Sequence, residues 1–145
     1  MASNTGTVVI QGSSNITSAQ YGVTADGDSN ITIDNSTISS NGGWGVAVFH
    51  TTTLTVQNNT SISALEEGGI GISANGNAEN GATIIISDGT IRGADLGIYQ
   101  PSGTVEINGG TIEGATAIYQ KAGTLTITGS PTITANGAAN DFVHN

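Results

Sequence analysis

The stretch Gly103-Thr104-Val105-Glu106-Ile107-Asn108-Gly109-Gly110-Thr111-Ile112-Glu113-Gly114-Ala115-Thr116-Ala117-Ile118-Tyr119-Gln120 matches, almost position for position, the stretch from Ala82 to Gln100. Working outward from it, pairs of apolar residues two apart mark six units: Val8/Ile10, Ile31/Ile33, Leu54/Val56, Ile84/Ile86, Val105/Ile107 and Leu125/Ile127. Their first members are 23, 23, 30, 21 and 20 residues apart. A second apolar column follows at Ile16, Ile38, Ile62, Ile91, Ile112 and Ile133. A third runs through Val23, Val46/Val48, Ile70/Ile72, Leu96/Ile98, Ile118 and Phe142. Self-similarity at this period predicts a solenoid, in which one unit buries its apolar face only against the next.

Inside each unit the apolar spacing is two, as in Thr124-Leu125-Thr126-Ile127, so alternate side chains fall on opposite faces of a strand. Helical spacing is nowhere sustained. Turn pairs such as Asp88-Gly89, Gly109-Gly110 and Asn136-Gly137 separate three short strands per unit, which makes a three-sided coil. Most of the 22 glycines then read as corner residues with positive φ. Residues 1–6 read as a leading linker and residues 7–145 as one domain.

The phrase Gly109-Gly110-Thr111-Ile112, with Ile118-Tyr119 and Gly123-Thr124-Leu125-Thr126-Ile127-Thr128-Gly129 after it, resembles the glycine- and threonine-rich repeats of the right-handed parallel β-helix. Such repeats occur in pectate-lyase-like folds and bacterial surface proteins, and the resemblance runs from residue 7 to about 143. It implies an all-β right-handed solenoid of about six three-strand coils. It leaves function open, because that fold hosts lyases, hydrolases, adhesins, tailspikes and passive stalks. A left-handed hexapeptide solenoid is disfavoured, since the six-residue period is absent.

Charge narrows the partners. Eleven acidic residues face only Arg92 and Lys121, giving a formal charge of −9, so no basic patch exists to neutralise phosphates and nucleic acid is excluded. Polyanionic glycans are disfavoured unless a divalent cation bridges them. Cysteine is absent, and apolar runs such as Val46-Ala47-Val48-Phe49 are strand-sized, so membrane insertion is not expected. Met1-Ala2-Ser3-Asn4 runs straight into the first coil and reads as an expression start placed before an excised segment. Any export signal or wall anchor would then lie elsewhere.

The outward positions separate the functions. On the first strand they read Thr7, Asn30, Thr53, Thr83, Thr104, Thr124, then Val9, Thr32, Thr55, Ile85, Glu106, Thr126. On the second they read Asn15, Thr37, Ser61, Thr90, Thr111, Thr132, then Thr17, Ser39, Ser63, Arg92, Glu113, Thr134. Threonine suits a pleated surface, so these columns have a plain structural origin. They also resemble the flat threonine arrays of ice-binding solenoids, which would assign Thr53, Thr55, Thr83, Thr104, Thr124, Thr126, Thr132 and Thr134 to ice. Glu106, Glu113, Arg92 and Ile85 interrupt that lattice.

On the third strand, with Val48, Ile72, Ile98, Ile118 and Phe142 inward, the next column holds Phe49, Ser73, Tyr99, Tyr119 and Val143. After it come His50, Ala74, Gln100, Gln120 and His144. Tyr99 and Tyr119 beside Gln100 and Gln120 form a surface suited to a sugar ring: the ring face stacks and the amides meet its hydroxyls. Trp44, at the Gly42-Gly43-Trp44-Gly45 corner, either extends this platform with Phe49 or folds over a loop. Coil three carries an insertion from Asn75 to Gly81, of the kind that borders binding sites in solenoids.

Catalytic residues are not expected. Two carboxylates about 5 to 10 Å apart are needed for glycoside hydrolysis, whereas Asp34, Glu106, Glu113, Glu66, Glu67 and Asp95 scatter over strands and corners. The β-helix lyases that the repeats resemble use a basic residue near calcium, and Arg92 has only Ser63 and Glu113 as coil neighbours. Asp26-Gly27-Asp28-Ser29-Asn30 superficially suits calcium but has Thr37 where the bidentate acid belongs, so a tight corner is the better reading. No cofactor is called for.

The sequence therefore points to a non-catalytic extracellular module, a bacterial surface stalk or adhesin segment with a carbohydrate or cell-surface partner. The alternatives are an ice-binding protein and a fragment of a polysaccharide-active enzyme. With no evident cap at either terminus, truncation of a longer rod or end-to-end self-association is expected.

Overall fold

A computed structural model describes residues 5–75, 81–137 and 142–144. Among these residues the chain is all strand and turn, arranged as six coils of three strands. The first coil comprises Thr5–Ile10, Asn15–Ser18 and Tyr21–Ala25, and the second Asp28–Asp34, Thr37–Ser40 and Trp44–Phe49. The third comprises Thr53–Gln57, Ser61–Ala64 and Ile70–Asn75, and the fourth Thr83–Ile86, Thr90–Gly93 and Leu96–Gln100. Thr104–Ile107, Thr111–Gly114 and Thr116–Gln120 form the fifth; Thr124–Ile127, Thr132–Ala135 and Phe142–His144 form the sixth. Equivalent strands pair in parallel, each coil with the next, to give three six-stranded sheets. The first strand starts at Thr5, which pairs with Asp28, so the solenoid begins two residues earlier than its apolar pattern suggests.

The interior is a stack of columns. Ile31, Leu54, Ile84 and Val105 lie in register on the first sheet, as do Ile38, Ile62, Ile91 and Ile112 on the second. All are buried. Val46, Ile72, Ile98 and Ile118 form the third wall. Each such side chain is worth about 1.5 to 3 kcal/mol of burial, so the column rather than any hydrogen bond drives stacking. On the end coils the same inward positions are open: Val8 is 47% exposed, Ile127 45% and Phe142 42%.

Two groups of glycine shape the coil. Corner glycines such as Gly103 (φ 78) take the left-handed backbone, a role Asn35 and Asn58 share. A second group, Gly22, Gly45, Gly71 and Gly97, forms a column within the third sheet, where a Cβ would strike the adjacent coil. Their function is close approach, not φ. The expectation that corners account for most glycines misses this column.

Candidate functional site

The outer face of the third sheet is set by a register that differs from the sequence expectation. Ala47, not Phe49, pairs with Ser73, and Ser73 with Tyr99, Tyr99 with Tyr119 and Tyr119 with Val143. Phe49 lies two residues further along, opposite Asn75. The cause is the glycine column: Gly45 and Gly71 must stack because neither site has room for a Cβ, and that puts Val46 on Ile72.

Tyr99 and Tyr119 stand one coil apart with ring centroids 5.9 Å apart and planes 25° from parallel. Both rings are half-buried on an outward column. Gln100 and Gln120 do not join them. Strand alternation sends the residue after each tyrosine inward, onto the column of Val48 and Ala74, so Gln100 is 0% and Gln120 6% exposed. The Gln100 Nε2 donates to the carbonyls of Thr124 (2.8 Å) and Gly103 (3.2 Å), and the Gln120 Nε2 to that of Gly123 (3.1 Å). These amides brace the corner between the third and first sheets and are not available to a ligand.

Trp44 and Phe49 form a second ring group, with centroids 6.1 Å apart and edge to face. Tyr21 completes it, 5.0 Å from Trp44. Sequence reading missed Tyr21, although a signal exists: Tyr21-Gly22-Val23 and Trp44-Gly45-Val46 are one phrase, and the structure pairs Tyr21 with Trp44. Ala47, between Trp44 and Phe49 in sequence, is fully buried on its outward column.

The threonine columns of the first two sheets lie in the expected register. Thr53, Thr83, Thr104 and Thr124 align, and Thr55 precedes Ile85, Glu106 and Thr126 on the neighbouring column. Thr132 and Thr134 follow Thr111 and Glu113. Arg92 and Glu113 stand opposite each other on adjacent coils and form an ion pair, so charge crosses the second sheet at coils four and five. The same pair flanks a shallow groove of about 300 Å³ lined also by Leu65, Ala94, Ala115 and Asn136. It arises because the corner after Ala64 is longer than those of the next two coils, a difference in loop length that strand pattern does not convey.

Residues 1–141 match the family model described as a right-handed beta helix region. The chain belongs to the right-handed β-helix family. No curated protein and no solved structure matches it.

Elsewhere on the β-helix, polar side chains hold corners together. The Asp34 carboxylate accepts from Gln57 Nε2 (2.9 Å) and Asn58 Nδ2 (3.0 Å), joining coils two and three. Among the described residues no group of three or more His, Asp or Glu side chains is placed to hold a metal ion. The Asp26 segment is a corner: its carboxylate accepts from the Gly27 N–H (2.7 Å) and meets His50 Nδ1 of the next coil, while Thr51 bonds to Asp28. The His50 contact, with help from the Gly27 N–H, holds the Asp26 carboxyl below its ordinary value. A depressed carboxylate contributes stability above its unfolded value of 3.8 and loses it as pH falls through the folded one. His50→Ala is expected to move Asp26 back toward that ordinary value in a carboxyl NMR titration; an unmoved midpoint would show that the contact carries no weight. Of the coil-three insertion from Asn75 to Gly81, residues 76–80 lie outside the described residues.

Proposed function

We propose that this β-helix is a non-catalytic extracellular module, of the surface-stalk or adhesin kind, which holds a neutral glycan against the outer face of its third sheet. The observation that carries the reading is the Tyr99/Tyr119 pair, two rings presented one coil apart on a rigid sheet. Each brings an apolar face and a hydroxyl, and because the rings are fixed by the stack little side-chain entropy is lost on binding. The charge of −9 favours a neutral chain over a polyanionic one. With Gln100 and Gln120 turned inward, stacking rather than amide hydrogen bonding supplies the contact.

A glycan array comparing the native chain with Tyr99→Ala/Tyr119→Ala tests this. Loss of two stacking faces is expected to weaken the bound glycan by at least about tenfold, a change of roughly 1.4 kcal/mol. Equal signals from two folded proteins would remove the platform.

A further inference from the structure

The third sheet carries two ring groups, and their positions define a track. Tyr21 and Trp44 occupy coils one and two, Tyr99 and Tyr119 coils four and five. Trp44 and Phe49 flank the column that holds Ala47, and their rings approach one another across it. That is the column on which Tyr99 and Tyr119 stand. Coil three contributes to it only the short side chain of Ser73. The two groups therefore follow one another along the solenoid: Tyr21 and Trp44 are rooted on the column of Ile70 and Leu96, three residues from that of Tyr99, and the contact with Phe49 draws the Trp44 ring back toward it. With a coil step of about 4.8 Å, the track from Tyr21 to Tyr119 runs about 19 Å.

We infer that this face binds an extended linear neutral glycan lying parallel to the axis, with one ring group gripping each end. The inference rests on the reading of Tyr99/Tyr119 as a glycan platform and adds Tyr21 and Trp44 as a second one. A single sugar covers one ring pair at most. A sugar residue in an extended β-linked chain advances by about one coil step, so a chain of about four or more residues reaches both groups. Tyr21 is 48% exposed, open to such a ligand, and its contact with Trp44 pre-orients both rings. The bland alternative, that Trp44, Tyr21 and Phe49 only cover apolar surface, predicts no dependence on ligand length.

The test is isothermal titration of the full chain with a neutral oligosaccharide series, from disaccharide to hexasaccharide, drawn from the glycan class that the array returns. Joining two weak sites on one rigid face should raise affinity on the order of a hundredfold between the disaccharide and the hexasaccharide. Tyr21→Ala/Trp44→Ala should abolish that gain and reduce the disaccharide stoichiometry from two sites to the one at Tyr99/Tyr119, whose retained binding also shows that the variant has kept its fold there. Equal affinity for short and long chains, or a length gain that survives the double substitution, would overturn the two-platform track while leaving the Tyr99/Tyr119 reading intact. If no neutral glycan binds at any length, that reading fails and the track with it.

Discussion

Gln100→Glu is expected to destabilise the protein by about 3 to 5 kcal/mol at neutral pH, the range for a buried charge left without a partner. The side chain is 0% exposed. Its Nε2 faces the Thr124 and Gly103 carbonyls, and its Oε1 is buried with no hydrogen-bond partner among the described residues. Glutamate has the same shape but sets an acceptor against two acceptors. Burial and the facing carbonyl oxygens disfavour the ionised form, so its folded pKa lies above the unfolded one, near 4.3. For a group raised in this way, stability is fully present below the unfolded value and is lost as pH rises through the folded one. The deficit relative to the native chain should therefore be largest at pH 7 and shrink toward pH 4. Urea unfolding of both proteins at the two pH values measures it; coincident midpoints at pH 7 would place the amide at the surface instead.

Gly71→Ala should cost about 3 kcal/mol, the upper end for forcing atoms into a close-packed interior. A Cβ at this position would lie 2.6 Å from the Gly97 carbonyl oxygen and 2.6 Å from Ile91 Cγ2. The carbonyl is fixed by the coil ladder and the isoleucine by its column, so relief requires the third sheet to open between coils three and four. In a solenoid, where stability is a sum of neighbour interfaces, such a wedge weakens the coupling between the halves. Gly6→Ala is the control: nothing lies within 4 Å of its added methyl, and its effect should stay within about 0.5 kcal/mol. If the two variants unfold at the same urea concentration, the glycine column is not under packing constraint.

The register of the first two sheets was legible because each strand carries an aliphatic phrase at a fixed distance from a threonine, serine or asparagine and the next turn. On the third sheet Val46-Ala47-Val48 offers two alignments to Ile72, and hydropathy alone cannot choose between them. The glycines could have chosen, since Tyr21-Gly22-Val23, Trp44-Gly45-Val46, Ile70-Gly71-Ile72 and Leu96-Gly97-Ile98 share one phrase, a large residue, a glycine and then valine or isoleucine. The paired tyrosines were legible from the repeat. The inward turn of Gln100 and Gln120 was hidden by polarity, because an amide satisfied by corner carbonyls has the composition of a surface residue and the position of a core one. The groove beside Arg92 depends on how far one corner loop rises above its neighbours, which no strand pattern encodes.

The glycine column also fixes the spacing of everything the third sheet displays. Coils locked in register can shift relative to one another only by whole repeats, so the interval between the two ring groups behaves as a digital quantity. Duplicating or deleting one unit between Trp44 and Tyr99 would reset it by about 4.8 Å, with no intermediate values. The β-helix is in that sense a gauge whose graduations are its coils, and on the proposed glycan track the length of ligand that fits would be retuned by counting units while the ring residues stay unchanged.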